Sequence, residues 1–267
     1  QPPISRQIAM LEDELKVCLF LRTNKGVELT EAGRSLYQQS QHMFQNFRMM
    51  VDSVRDVDAG VRGLLKVGVV YSNTPVVLNY LKAYHKEYPQ VELYIRVGAP
   101  GDLLDDLNRG DLHVLFLRTP TEGSSDFHEK ILGEDPLELV MCPELDPAPD
   151  QDSIPIELLK DVPMCLLRSD DLWGYSSHLI NECQRKGFTP NTVCQCYDTP
   201  MTMQLVQAGF GISYLPRSIV ETHPGSNIYS KPLVGLPAKS YPTLLWSSNI
   251  YYANCVKRFI SMFGYPT

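Results

Sequence analysis

The sequence predicts a mixed fold: a small head made of a helix and a β-wing, one long helix, and an α/β region of two similar units. Three observations carry this. Apolar Ile4, Ile8, Leu11 and Leu15 recur at helical spacing, and two short extended pieces follow around Asn24-Lys25-Gly26. Leu36, Ser40, Met43, Phe47, Met50, Val54 and Val57 alternate steps of four and three, an a/d seam with one polar break at Ser40. From Leu64 onward, strand-like and helix-like segments alternate.

The first helix is expected over Pro3–Leu15, where Pro2 and Pro3 suit a start at which missing N–H groups cost nothing. Leu19-Phe20 and Val27-Glu28-Leu29 flank a tight turn in which Gly26 is free to take positive φ. Thr30 is a good N-cap for the next helix, expected to run for about 28 residues and end at Asp58-Ala59-Gly60, a hinge. Its apolar stripe is narrow and its other faces carry Gln38, Gln39, Gln45, Arg48, Asp52 and Arg55. Packing on the chain's own core is one reading; a dimerising, coiled-coil-like helix fits the narrow stripe better.

Leu64–Val70, Val91–Val97 and Leu112–Leu117 read as strands, with helices at Thr74–Tyr88 and Leu103–Asn108 between them. This β-α-β-α-β order implies a parallel sheet with right-handed crossovers. A second unit follows: strands at Leu137–Cys142, Met164–Leu167, Thr192–Tyr197, Gly211–Leu215 and Asn227–Leu233, helices at Leu179–Lys186 and Pro200–Gln207, and a Pro- and Asp-rich loop at Pro143–Pro155. Leu244–Ser247 adds a strand and Tyr251–Phe263 a closing amphipathic helix. Two such units joined by extended crossings enclose a cleft.

The 267 residues carry a net charge of −7, with 43% hydrophobic and 21% charged residues, the composition of a globular protein able to bury a core without metals or disulfides. No apolar stretch approaches the ~20 residues a membrane span needs, and no partner membrane is expected. The start at Gln1 has no apolar signal-peptide core and no Met, so the sequence reads as processed or as a fragment. The acidity is uneven. Residues 1–66 hold nine Lys and Arg against eight Asp and Glu, while 67–267 hold fifteen against twenty-three. A barely basic head points to a few placed contacts rather than bulk attraction to nucleic acid.

Seven scattered cysteines, with no CxxC, read as small buried thiols of a reducing cytosol. Cys194-Gln-Cys196 puts two thiols on one face of a strand, but no further ligand with zinc-like spacing follows. GxSxG, Walker and HExxH motifs are missing and the six histidines are dispersed, so no enzyme and no cofactor is expected.

The segment QPPISRQIAMLEDELKVCLFLRTNKGVELTEAGRSLY resembles the winged helix-turn-helix of LysR-type transcriptional regulators. The matching residues are Gln1-Pro2, Ser5 to Ile8, Leu11-Glu12, Leu19-Phe20, Arg22-Thr23 and Leu29 to Gly33. LKVGVVYSN, VELYIRVGAPGDLLDDLNRGDLHVLFLR and YDTPMTMQLVQAGFGISYLP resemble the same family's effector domain, itself similar in fold to periplasmic binding proteins. Two departures stand out. Roughly thirty residues that the family places before Gln1 are not in the sequence, and Lys16 stands where a turn-forming glycine is usual, constraining that corner. DNA binding is therefore expected of the full-length protein.

The resemblance implies a ligand-responsive regulator with a partial DNA-binding domain at 1–30, a linker and dimerisation helix at 31–59, effector lobe I at 63–136 with 241–267, and lobe II at 137–240. It assigns DNA contact to Gln1, Pro2, Ser5, Arg6 and Gln7 on the recognition helix and to Arg22 and Lys25 on the wing. There arginine and glutamine suit guanine and adenine edges and cations suit phosphates. Dimerisation through Leu36, Met43, Phe47, Met50, Val54 and Val57 would present two recognition helices to a dyad-symmetric site. The partners implied are double-stranded DNA, a second copy of the chain in a homodimer or homotetramer, and a small effector such as a carboxylate or amino acid.

The effector is expected at strand ends between the lobes. Ser72, Asn73 and Thr74 open a helix whose N-terminus suits an anion, the alternative being plain N-capping by Asn73 or Ser72. Gly98 and Ala99 form another edge, and Arg168, Ser169, Thr199, Met201 and Thr202 the edge in lobe II. Asp170 and Asp171 would repel an anion unless Arg168 offsets them, which keeps a zwitterion or cation open. Trp173, Tyr175 and Tyr197 are candidates for an aromatic wall or for core packing. A solute-binding protein without DNA binding is the alternative function, opposed by the segment 1–57. A cytoplasmic location follows from the regulator reading.

Overall fold

The computed structural model describes residues 2–23, 26–59, 62–118, 126–168, 175–223, 227–236 and 238–265. Among them no helix is long and apolar enough to cross a membrane. Helix α1 (Pro2–Leu15) leads to a hairpin of β1 (Phe20–Thr23) and β2 (Gly26–Leu29), antiparallel with Phe20 opposite Leu29. Lys16 closes α1 at φ +56, and the Val17 amide reaches back to the Glu12 carbonyl at 3.3 Å. This is the left-handed cap that glycine fills at least cost, so the corner is strained as expected. Thr30 caps α2 (Glu31–Ala59): its hydroxyl accepts from the Gly33 amide at 2.9 Å and donates to the Cys18 carbonyl at 2.7 Å.

The first sheet has the order β4-β3-β5-β14-β6. It comprises β3 (Gly63–Val70), β4 (Val91–Gly98), β5 (Val114–Arg118), β6 (Phe127–Ile131) and β14 (Pro242–Ser247). β3, β4 and β5 are parallel, joined by α3 (Thr74–Glu87) and α4 (Pro100–Arg109). Alternation along β5 splits the core. Val114 and Phe116 meet α3 and the closing helix α8 (Asn254–Ser261), while Leu115 and Leu117 meet α4 through Leu103 and Leu107.

The second sheet is centred on β7 (Asp135–Met141), with order β11-β7-β12-β8. It includes β8 (Ile154–Pro155), β11 (Ser213–Pro216), β12 (Tyr229–Val234) and β13 (Lys239–Ser240), which pairs with β7. β9 (Pro163–Leu167) and β10 (Asn191–Cys196) pair in parallel, and Met164 bridges to Ile212 beside β11. α5 (Tyr175–Arg185), α6 (Thr199–Gln207) and α7 (Arg217–Glu221) complete the unit.

Three differences from the sequence expectation have local causes. β6 has a polar, half-exposed pattern and occupies a sheet edge, so it carries little periodicity. β14 runs antiparallel to both its neighbours, β5 and β6, in a sheet expected to be parallel, because it returns from the second unit. Residues 135 and 136, expected in the first unit, pair with β13 and so belong to the second sheet.

Candidate functional site

The head presents Ser5, Arg6 and Gln7 as exposed neighbours on α1. Gln1 and Lys25 lie outside the described residues, as do the side chains of Pro2 and Arg22. Glu12, given no role by the sequence reading, ties the helix to the wing: its carboxylate accepts from the Leu19 amide at 2.7 Å and the Phe20 amide at 3.1 Å. Gly33 lets α2 pass close to the same strand, since a Cβ there would overlap the Leu19 carbonyl oxygen.

On α2 the seam is open. Met43 is 61% exposed, Phe47 58%, Met50 53% and Val54 70%; Leu36 is half-buried and the Val57 side chain lies outside the described residues. A different face turns inward, where Met49 is buried and Gln45 donates to the Gly110 carbonyl.

At the C-terminal end of β3, Ser72 and Asn73 are buried in a 3-10 turn. Asn73 Nδ2 donates to the Leu117 carbonyl at 2.7 Å, and its Oδ1 is buried without a hydrogen-bond partner. The N-capping alternative is thereby corrected: neither side chain caps α3, because Asn73 is turned toward β5. Thr74 is exposed and donates to the Tyr71 carbonyl at 2.9 Å. Gly98 pairs with Val70 at the adjacent strand end, and Ala99 is exposed before α4.

From the second unit, α6 packs against the turn Tyr71–Asn73, bringing the two predicted edges together. Thr199 is buried and Met201 exposed. Thr202 is wholly buried, its hydroxyl donating to the Asp198 carbonyl at 2.8 Å. Asp198 caps α6 by accepting from the Met201 amide at 2.7 Å. Arg168 lies 5.6 Å from the Tyr197 ring centroid, and Tyr197 is exposed. Ser169, Asp170, Asp171 and Trp173 lie outside the described residues.

Beneath these groups sits an arginine that the sequence reading assigned no role. Arg118, at the end of β5, donates to the Ser72 carbonyl at 2.7 and 3.0 Å, to Asp135 at 2.6 Å, to Ser240 at 2.8 Å and to Ser218 at 3.0 Å. These partners come from both units, the turn Tyr71–Asn73 in the first and β7, β13 and α7 in the second, so the guanidinium binds the units to each other. The Tyr175 hydroxyl adjoins Ser72 and Ser240, and burial pushes it up to about 12, so it stays protonated. A cation closing an otherwise apolar run, at the C-terminal end of a parallel strand, is the signal that could have found Arg118. Nearby, a groove of about 370 Å³ separates α3 from α7, lined by Tyr80, Asn79, Ser218 and Glu221 among others.

Residues 58–264 match the LysR substrate binding domain, and residues 1–34 match the bacterial regulatory helix-turn-helix protein, lysR family. The chain belongs to the LysR family of transcriptional regulators. This LysR regulator is 28% identical over 264 residues to the HTH-type transcriptional regulator BsdA of Bacillus subtilis (strain 168), covering 98% of this chain and 90% of that one. It is 26% identical over 265 residues to the regulator BudR of Raoultella terrigena, with the same two coverages. Full-length CbnR, a LysR regulator solved with its target DNA, shares its fold at a TM-score of 0.68 and 20% identity, covering 99% of this chain and 89% of that one. The regulator is a ligand-responsive DNA-binding protein, and the solute-binding alternative is not favoured.

Proposed function

We propose that the effector of this LysR regulator binds where the turn Tyr71–Asn73 meets α6, at the carboxyl ends of the strands. The observation that carries this is the unpartnered, buried Oδ1 of Asn73, since a buried polar atom left alone costs about 1–3 kcal/mol unless something satisfies it. It is an acceptor, so it calls for an N–H or O–H of the ligand. The α3 N-terminus beside it favours negative charge. A small amino acid, or a carboxylic acid bearing a hydroxyl, supplies both. Ser72, Thr74, Thr199 and Met201 would line the site, with Gly98, Ala99, Arg168 and Ser169 at its rim; Thr202 acts from beneath by holding Asp198.

The same reading gives DNA contact to Gln1, Pro2, Ser5, Arg6, Gln7, Arg22 and Lys25. It gives assembly into dimers or tetramers to the open seam of α2, no catalytic step to the chain, and a cytoplasmic place of action. A thermal-shift series with small amino acids and hydroxy acids tests the site. One chemical class should raise the melting temperature saturably, and Asn73→Ala should remove that rise. A saturable rise that survives Asn73→Ala would move the site elsewhere.

A further inference from the structure

Cys194 and Cys196 lie on one face of β10 with their Sγ atoms 3.7 Å apart. Cys194 is the direct partner of Cys165 on β9, and the register shifts between Thr192 and Cys194, an irregularity of the kind that re-aims neighbouring side chains. Cys196 is buried and Cys194 is partly exposed, which gives the pair an opening to solvent. The Cys196 thiol also meets the Thr202 hydroxyl and lies in the field of the Asp198 carboxylate.

Two chemistries suit neighbouring thiols, and the backbone separates them. Residues two apart on a strand have Cα atoms about 6.6 Å apart, near the upper limit of the roughly 4.4–6.8 Å that disulfides span and wider than their commonest value of about 5.5–6 Å. Drawing the two closer would bend β10 against its ladder with β9, where Cys194 pairs with Cys165 and Cys196 with Leu167. A metal ion asks for a wider bite. Thiolate–metal bonds of about 2.3 Å place two sulfurs about 3.8 Å apart at a tetrahedral angle and about 4.6 Å apart when linear. The pair already stands near the first value, and rotation about χ1 reaches toward the second.

A tetrahedral ion needs four ligands, yet among the described residues no three His, Cys, Asp or Glu side chains are grouped to hold one ion. A soft, two-coordinate ion needs the pair alone, and thiolates select monovalent copper. We propose that Cys194 and Cys196 form a two-thiolate site for a cuprous ion. Each S–H gives its proton to solvent as its S–Cu bond forms, leaving one bis-thiolate complex and two released protons, with no change of oxidation state. The Asp198 carboxylate favours the incoming cation, and Cys165 stays outside the coordination shell. The site adjoins the cleft, because the Cys196 carbonyl accepts the Arg168 amide at 2.6 Å.

The test is a titration of the reduced chain, without oxygen, against cuprous bicinchoninate, whose colour fades as copper transfers. The wild type and Cys165→Ser should each withdraw one equivalent; Cys194→Ser and Cys196→Ser should withdraw none while keeping the wild-type melting temperature. X-ray absorption of the wild-type complex should show two sulfur neighbours, which decides the matter even if a serine variant fails to fold. Undiminished colour with the wild type, uptake that persists in both single variants, three or more sulfur neighbours, or oxidation of the pair to a disulfide without copper uptake would each overturn the proposal.

Discussion

Glu12 shows what one carboxylate does for the head: with both the Leu19 and Phe20 amides on it, the left-handed corner at Lys16 is held despite a cost of about 1–2 kcal/mol. Gly33 works on the same strand by leaving space. Gly33→Ala should destabilise the protein by about 1–3 kcal/mol in urea unfolding, since the added carbon meets backbone rather than a movable side chain. His113 is the residue that sets an acid limit. Its Nδ1 accepts from the Lys66 amide at 3.1 Å, and burial, helped by the Lys66 charge, lowers it to about 4 from 6.5. The unfolded chain therefore binds one more proton between those values. The contribution is complete above about pH 6.5 and is lost as pH falls toward 4, on the order of 3 kcal/mol in all. Urea midpoints measured across that window should fall with pH, and His113→Gln should flatten the slope. Neither role was readable beforehand. Glu12 and Gly33 stood in a matched motif, but what they touch lies seven or more residues away in the chain.

Among the elements, α2 was the easiest to read and remains the most consequential. Its start follows from Thr30 and its seam from a spacing that repeats, both local properties of the chain. Met43, Phe47, Met50 and Val54 of the seam are exposed while Met49 and Gln45 occupy a groove with Lys66, Arg109 and His113, so the helix is sided: one face belongs to its own domain and another is open. Phe47→Glu places a charge in the middle of the open face. Sedimentation should show a smaller assembly for that variant, with the urea midpoint of the α/β region unchanged. β6 was unreadable for the opposite reason. Phe127–Ile131 alternates weakly, carries His128, Glu129 and Lys130, and becomes a strand only because β14 lies beside it. An edge strand depends on a neighbour that local sequence does not show.

At the scale of the molecule, the buried Arg118–Asp135 pair joins the two sheets. Asp135→Asn should cost about 3–5 kcal/mol in urea unfolding, because it leaves a buried guanidinium without its counter-charge, and joint replacement of the pair by Met and Leu should recover most of that loss. Effector binding above this pair would act on the angle between the units, which is why the same substitution should also broaden the response to any effector. The α/β alternation of the two units was readable in the sequence. The partners of Arg118 were not, since Asp135, Ser218 and Ser240 come to it from three separate stretches of chain. The placement of β14 reaches further than this static picture. It stands between β5 and β6, yet it is made after the whole second unit. During synthesis β5 must wait with one edge unpaired, and β6 without its partner, until residues 242–247 leave the ribosome. A chain that stops short of Pro242 would carry both edges open, a template for pairing with other chains and a natural substrate for chaperones.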